Sequence, residues 1–135
     1  MIFKSYSEAA SLLAQKIHQE NFSDISLVYI NPESKTFAEL VANQLNLSLI
    51  LLSDPQYLIL NTKYLILIDI GSTNSVEYNE FTDKIRKTYP STKIILAIPV
   101  IPESEKTTLE SVCDTLIYLH SDPYFFSLSQ FFPLK

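Results

Sequence analysis

The hydrophobic residues of this chain follow two patterns that alternate from one end to the other. In three segments, residues 6–20, 36–45 and 75–89, apolar side chains recur every three to four positions, which is typical of amphipathic helices. Between them lie short, mainly apolar runs, which are typical of buried parallel strands: residues 25–30, 47–52, 64–69, 93–100 and 116–119. Without a linker or repeat, this alternation predicts one α/β domain over residues 1–135, with helices on both faces of a mostly parallel sheet.

Polar pairs mark the expected beginnings of the three long helices. In each pair a hydroxyl or amide side chain is followed three residues later by a glutamate, which is the pattern of a capping box. The pairs are Ser5 with Glu8, Thr36 with Glu39, and Asn74 with Glu77. Pro90 is expected to end the third helix, and a shorter helix is predicted near residues 104–113.

One further apolar run, residues 57–60, is predicted to run against the others. Only four residues separate it from Leu52, whereas a parallel crossover needs about a dozen residues. Asp54 and Pro55 in this interval are turn residues. The sheet should therefore have five parallel strands and an antiparallel edge strand at residues 57–60. The aromatic tail, residues 124–132, is expected to pack over the core as a last turn or helix.

Charge and composition narrow the function classes. The formal net charge of −5 and the pI near 4.9 argue against nucleic acids and anionic membranes as partners, because both require clustered lysine and arginine. No apolar run approaches the ~20 residues of a membrane-spanning helix, and Met1 does not open a signal-peptide pattern, so a cytoplasmic location is expected. Cys113 is the only cysteine, and neither His18 nor His120 has a partner at metal-ligand spacing, so no metal site is predicted.

The strongest candidate for a ligand site follows the run at residues 65–68. Ligands of open α/β sheets bind beyond the carboxyl ends of the strands, and this segment continues with Asp69, Gly71, Ser72, Thr73, Asn74 and Ser75. Backbone amides at the beginning of a helix, together with small hydroxyl side chains, favour a phosphate group. Gly71 is the only glycine of the chain, which weakens the pattern because such loops rely on glycine for close approach. Asp69 has an alternative structural role, that of ending the strand and capping the next helix.

Several segments in this order resemble the type I phosphoribosyltransferases, in particular the short bacterial branch of predicted phosphoribosyltransferases. They are residues 3–14, 65–75, 95–100, 114–119, 122–125 and 130–132. The resemblance implies a three-layer α/β/α fold with a six-stranded sheet in the order 3-2-1-4-5-6, strand three being the antiparallel edge. It also implies phosphoribosyl pyrophosphate as the substrate of active members, together with Mg²⁺.

The chain departs from that family at the positions that matter most for catalysis. The family has two acidic residues that contact the ribose, whereas here Asp69 is followed by Ile70. The family's pyrophosphate loop carries glycine, whereas the equivalent loop here has none; its residues include Asn31, Glu33, Ser34 and Lys35. The interval of 11 residues from 53 to 63 is too short for the family's flexible loop.

The leading hypothesis is therefore a degenerate, non-catalytic domain, a pseudoenzyme that binds a nucleotide or phosphate weakly or acts in regulation or assembly. Its residual phosphate and ribose contacts would come from Asp69 and residues 71–75. No cofactor is expected, and replacing Asp69 with alanine should change stability and binding by less than about 1 kcal/mol.

Two alternatives remain. One is a divergent active transferase that uses phosphoribosyl pyrophosphate and Mg²⁺, and the other is a receiver-like or flavodoxin-like binding domain. In addition, the aromatic tail is a candidate surface for a homodimer or a protein partner.

Overall fold

The computed structural model of this chain describes residues 2–51, 62–71 and 74–133. Its helices are α1 (Tyr6–Gln19), α2 (Lys35–Leu45), α3 (Ser75–Thr88) and α4 (Lys106–Ser111). Its strands are β1 (Ile25–Tyr29), β2 (Leu49–Leu51), β3 (Tyr64–Ile68), β4 (Lys93–Pro102) and β5 (Thr115–Asp122). Short 3₁₀ turns precede α2 and α4 and follow β5, at Pro32–Ser34, Glu103–Glu105 and Leu128–Gln130.

The described strands form a parallel sheet in the order β2-β1-β3-β4-β5. Two separate hydrophobic clusters cover its faces, one containing α1 and α2 and the other α3 and α4. The fold is thus the predicted three-layer α/β/α sandwich, and the five parallel strands have the predicted neighbours. The predicted antiparallel strand at residues 57–60 lies outside the described residues.

Two of the three predicted helix caps are confirmed. The Ser5 hydroxyl accepts a hydrogen bond from the Glu8 amide at 3.1 Å, and the Asn74 side chain accepts one from the Glu77 amide at 2.9 Å. The predicted cap at Thr36 is wrong, because α2 already begins at Lys35. The chain turns earlier, where Asn31 caps a 3₁₀ turn with Pro32 in its first position, and this turn runs directly into α2.

The end of the aromatic tail packs over the α1/α2 side of the core, whereas Tyr124 and Phe126, which were predicted to pack with it, are exposed. Phe131 and Phe132 are almost fully buried, and the Phe131 carbonyl accepts a hydrogen bond from the Phe3 amide at 2.9 Å. The Phe132 ring stacks on Phe3 at 5.2 Å and meets Tyr6 edge-on at 4.9 Å. The beginning and the end of the described chain are therefore joined through one aromatic cluster.

Cys113 and His120 each form a hydrogen bond within the protein. The Cys113 thiol is buried and donates to the Leu109 carbonyl at 3.3 Å, and burial raises its pKa to about 11. His120 Nε2 lies 2.9 Å from Asp122 Oδ2, and this hydrogen bond lowers the pKa of the Asp122 carboxyl. Across residues 2–51, 62–71 and 74–133, no three His, Cys, Asp or Glu side chains are grouped so as to hold a metal. None of the helices in these ranges has the length and apolar character needed to cross a membrane.

Candidate functional site

The two loops that the sequence singles out meet at the carboxyl edge of the sheet. The chain leaves β1 toward α2 on one face, and it leaves the neighbouring strand β3 toward α3 on the other face. Such a divergence point opens the crevice in which open α/β sheets bind ligands. The crevice here has the residues after β1, Asn31 to Lys35, on one side and the residues after β3, from Asp69 onward, on the other.

Asp69 lies at the base of this crevice and is fully buried. Its Oδ1 accepts a hydrogen bond from the Ser34 hydroxyl at 3.0 Å. Its Oδ2 accepts one from the Tyr78 hydroxyl at 2.7 Å and one from the Gly71 amide at 2.8 Å. Hydrogen bonds to an ionised carboxylate are the strong ones in proteins. The carboxylate therefore joins β3 to the loop after β1 and to α3, and it is not exposed for a ribose hydroxyl.

Ser34 completes this network from the opposite loop. The residue is fully buried, and its hydroxyl accepts a hydrogen bond from the Ile70 amide at 3.0 Å while donating to Asp69. A hydroxyl has one proton to donate, and that proton is directed at the carboxylate. Ser34, one of the residues predicted for the pyrophosphate loop, thus acts in the structure as a bridge between the two loops.

The other residues of that loop make local contacts. The Asn31 side chain accepts a hydrogen bond from the Glu33 amide at 3.0 Å, so this amide is already satisfied. Glu33 is exposed. Lys35 Nζ lies 4.0 Å from Glu39 Oε1 on the same helix, and both side chains are more than half exposed. Such an exposed pair contributes little to stability. The loop after β1 therefore presents the exposed Glu33 carboxylate and contains no glycine.

Ile70 and Gly71 fix the path of the chain after Asp69. Ile70 is buried in the core cluster on the α1/α2 side, so the position of the family's second acidic residue points into hydrophobic packing. Gly71 has a φ of +112°, and a Cβ there would lie 3.1 Å from the Val100 carbonyl oxygen and 3.2 Å from Leu128 Cδ2. Any other residue would be strained at this position. The only glycine of the chain therefore serves a close approach between segments.

The side chain of Asn74, the residue before α3, caps the beginning of this helix. Asn74 and Glu77 are exposed and Ser75 is half-buried, whereas Ser72 and Thr73 lie outside the described residues. Asn74 accepts from the Glu77 amide, and its Nδ2 donates to Glu77 Oε1 at 3.3 Å. The Glu77 carboxylate thus occupies the electropositive end of the helix, and its charge opposes the binding of a second anion.

A small cavity of about 260 Å³ lies beside this segment, on the α3/α4 side of the carboxyl edge. It is called the carboxyl-edge cavity below. Its described lining is mainly apolar and comprises Gly71, Asn74, Tyr78, Ile98, Val100, Ile101, Pro102, Glu105, Leu109 and Phe125. Sequence reasoning missed both this cavity and the part of Tyr78 in the Asp69 network. The helical spacing that places Tyr78 on the apolar face of α3 gives no sign of its hydroxyl partner.

The described residues do not fit a phosphoribosyl pyrophosphate–Mg²⁺ complex. Mg²⁺ in such sites is held by carboxylate and phosphate oxygens. The Asp69 carboxylate already accepts hydrogen bonds from Ser34, Gly71 and Tyr78, and Ile70 offers no oxygen from its side chain.

Comparison with known proteins identifies the fold. No protein-family model matches the sequence, and no curated protein matches it. The crystal structure of TT1426 from Thermus thermophilus aligns with 98% of this chain and 90% of its own, with 13% identity and a TM-score of 0.68. Orotate phosphoribosyltransferase from Aeropyrum pernix aligns over 83% of this chain and 68% of its own, with 13% identity and a TM-score of 0.61.

A third solved structure extends this likeness. The Helicobacter pylori xanthine-guanine-hypoxanthine phosphoribosyltransferase aligns over 82% of this chain and 78% of its own, with 16% identity and a TM-score of 0.61. At such identities the likeness concerns the fold, and activity has to be argued from the site itself. Together with the parallel sheet and its two helical layers, the comparisons show that this chain has the type I phosphoribosyltransferase fold.

Proposed function

We propose that this chain is a non-catalytic domain with the phosphoribosyltransferase fold. In it, hydrogen bonds between the loop after β1 and the loop after β3 stabilise the fold and do not bind a substrate. The observation that carries the proposal is the environment of Asp69, whose carboxylate is fully buried and accepts hydrogen bonds from Ser34, Gly71 and Tyr78. An active transferase needs the corresponding acid to face its substrate. Here the acid faces the protein.

Recruiting Asp69 for a ligand would be costly. A ribose hydroxyl would have to displace the Ser34 or Tyr78 hydroxyl from the carboxylate. Each buried donor left without a partner costs about 1–3 kcal/mol. The binding energy of the ligand would be reduced by that amount. This cost favours a structural role for the hydrogen bonds of Asp69 over a catalytic one.

Electrostatics supports the same proposal. Phosphoribosyl pyrophosphate carries several negative charges, and the chain has a formal net charge of −5. Glu33 is exposed in the loop after β1, Glu77 is exposed in the first turn of α3, and Lys35 is near Glu39. Like charges repel an approaching anion. Any phosphate binding that remains is therefore weak and depends on residues 71–75 at the beginning of α3.

This proposal predicts weak binding of nucleotides. Nucleoside monophosphates and phosphoribosyl pyrophosphate, with or without Mg²⁺, should bind with a Kd no tighter than about 1 mM, or roughly −4 kcal/mol. The measurement is a titration followed by backbone amide chemical shifts, with the largest shifts expected in residues 71–77. Glu77→Gln should strengthen the binding several-fold because it removes the competing carboxylate.

Glu80→Gln is the matched control, since it removes an exposed carboxylate from the same helix outside its first turn. It should leave the titration unchanged. Micromolar affinity of the unmodified protein would contradict the proposal and favour the divergent, active transferase.

A further inference from the structure

The strand β5 lies at an edge of the sheet. Among the described strands only β4 pairs with it. Residues 115–121 of this strand include no Lys, Arg, Asp, Glu, Gly or Pro, and most of them are aliphatic, aromatic or β-branched. Segments of this kind at a sheet edge pair readily with further strands, which leads to aggregation. The fold therefore needs a means of keeping the strands of other molecules away from β5.

The carboxylates nearest to this segment in sequence stand at its two ends and have partners of their own. Asp114 precedes the strand, and its Oδ2 accepts a hydrogen bond from the Ile94 amide at 2.8 Å. Asp122 is the last residue of the strand, and its Oδ2 lies 2.9 Å from His120 Nε2. The middle of β5 has no Lys, Arg, Asp or Glu of its own. Any such charge that protects it has to come from another part of the chain.

Lys16 supplies one such charge from α1. This residue is exposed, and its Nζ donates to the carbonyl oxygen of Tyr118, in the middle of β5, at 2.7 Å. The same ammonium lies 5.5 Å from the centroid of the Tyr118 ring. An ammonium group is attracted to the electron-rich face of an aromatic ring. Two contacts to one residue therefore hold this charge at the solvent-accessible edge of the strand.

Lys106 supplies a second charge from α4. Its Nζ lies 5.6 Å from the centroid of the same ring. The pKa of Lys106 is raised above its usual value, chiefly by a hydrogen bond to the Tyr118 side chain, so the ammonium is charged at neutral pH. The two lysines reach Tyr118 from helices that pack on opposite faces of the sheet. The middle of the edge strand thus has a positive charge on either side, in a chain whose net charge is −5.

We propose that Lys16 and Lys106 prevent the strands of other molecules from pairing with β5. An incoming strand would bring its backbone against the two ammonium groups and remove water from them. Burying a charge costs free energy unless it is paired and hydrogen-bonded, and lysine at a sheet edge is a common means of blocking such pairing. Neither residue belongs to the described lining of the carboxyl-edge cavity or to the loops after β1 and β3. This role is therefore independent of ligand binding.

Replacing both lysines with methionine tests this proposal in the full chain. Lys16→Met/Lys106→Met keeps unbranched side chains of similar length and removes the two charges. The folded variant should assemble at least about tenfold faster than the unmodified protein, because the edge of β5 is no longer charged. Thioflavin T fluorescence and the amide I band of intermolecular β-structure follow the assembly. Lys16→Arg/Lys106→Arg keeps both charges and should assemble as slowly as the unmodified protein.

Lys84→Met/Lys87→Met is the matched control. These two lysines are exposed on α3, and their loss lowers the net charge by the same two units as the test variant. Added negative charge by itself opposes association. Faster assembly of Lys16→Met/Lys106→Met alone would therefore be due to the position of the lost charges and not to their number.

Hydrogen exchange followed by mass spectrometry locates the contact. The monomeric test variant should keep the native protection and Tm, and its assemblies should gain protection in residues 115–122. Equal assembly rates of the two methionine variants, or rapid assembly of the arginine variant, would overturn the proposal. Assembly without added protection in residues 115–122, or only from a monomer that has lost its native protection, would overturn it as well. Because no ligand is added, none of these results affects the nucleotide titration.

Discussion

Replacing Asp69 with alanine is expected to lower the free energy of unfolding by about 3 kcal/mol or more. The substitution removes the common acceptor of the Ser34 hydroxyl, the Tyr78 hydroxyl and the Gly71 amide. Ser34 and Tyr78 are buried, so their hydroxyls do not regain their hydrogen bonds from bulk water. Each orphaned donor costs about 1–3 kcal/mol. This effect replaces the near-neutral change that the sequence alone suggested.

Urea denaturation measures this loss, with Asp83→Ala as the matched control. Asp83 is an exposed carboxylate on the same helix as Tyr78, and its removal should change stability by less than about 0.5 kcal/mol. Tyr78→Phe removes one donor and should cost about 1–2 kcal/mol, and this cost should shrink in the Asp69→Ala background. Equal stability of Asp69→Ala and Asp83→Ala would show that the network does not stabilise the fold.

Phe132→Ala is expected to cost about 3–5 kcal/mol, which is the usual range for removing a buried aromatic ring. The ring is 2% exposed and contacts Phe3, Tyr6 and Phe37, which belong to the beginning of the chain, α1 and α2. Its loss would leave a cavity where the two ends of the described chain meet. We therefore expect the tail to contribute to the global stability of the domain.

The matched control for this prediction is Phe126→Ala, six residues earlier in the same tail. Its ring is almost entirely in solvent, so the free energy of unfolding of the monomer should remain within about 0.5 kcal/mol. Both variants are compared by denaturation at low protein concentration, where association does not contribute. A loss below about 1 kcal/mol for Phe132→Ala would mean that the tail is only loosely attached to the core.

The fold was predictable because its signals are local or periodic. The apolar runs around Leu27, Ile66 and Ile95 are long enough to identify buried strands. The side chains of Ser5 and Asn74 cap their helices by accepting hydrogen bonds from backbone amides only three residues further along the sequence. The strand pairing follows from the crossover helices between these runs. The predicted cap at Thr36 was wrong because a 3₁₀ turn capped by Asn31 begins earlier, at Pro32, and runs into α2. Two capping signals that follow one another closely are hard to rank from the sequence.

The site was less predictable because its decisive contacts are long-range. Ser34 and Asp69 are 35 residues apart, and the sequence contains no sign that the hydroxyl of one would be directed at the carboxylate of the other. A ligand-binding aspartate and a buried structural aspartate look the same in a strand-end motif. What distinguishes them is whether their oxygens face solvent or protein donors, which depends on tertiary packing.

The order of the described strands alone would not have settled the fold either. The order 2-1-3-4-5 also occurs in flavodoxin-like domains. The structural likeness to two phosphoribosyltransferases, over 82–83% of the chain, favours the interpretation reached from the sequence resemblance.

We propose that the hydrogen bonds between the two loops are structural and that the chain does not transfer phosphoribose. The most direct test is the release of pyrophosphate from phosphoribosyl pyrophosphate and Mg²⁺ in the presence of a panel of purine and pyrimidine bases. An active phosphoribosyltransferase serves as the positive control. We predict that the purified chain releases no more pyrophosphate than a blank without protein, whichever base is added. Release that depends on one base, saturates with its concentration and co-purifies with the chain would show that it is an active transferase.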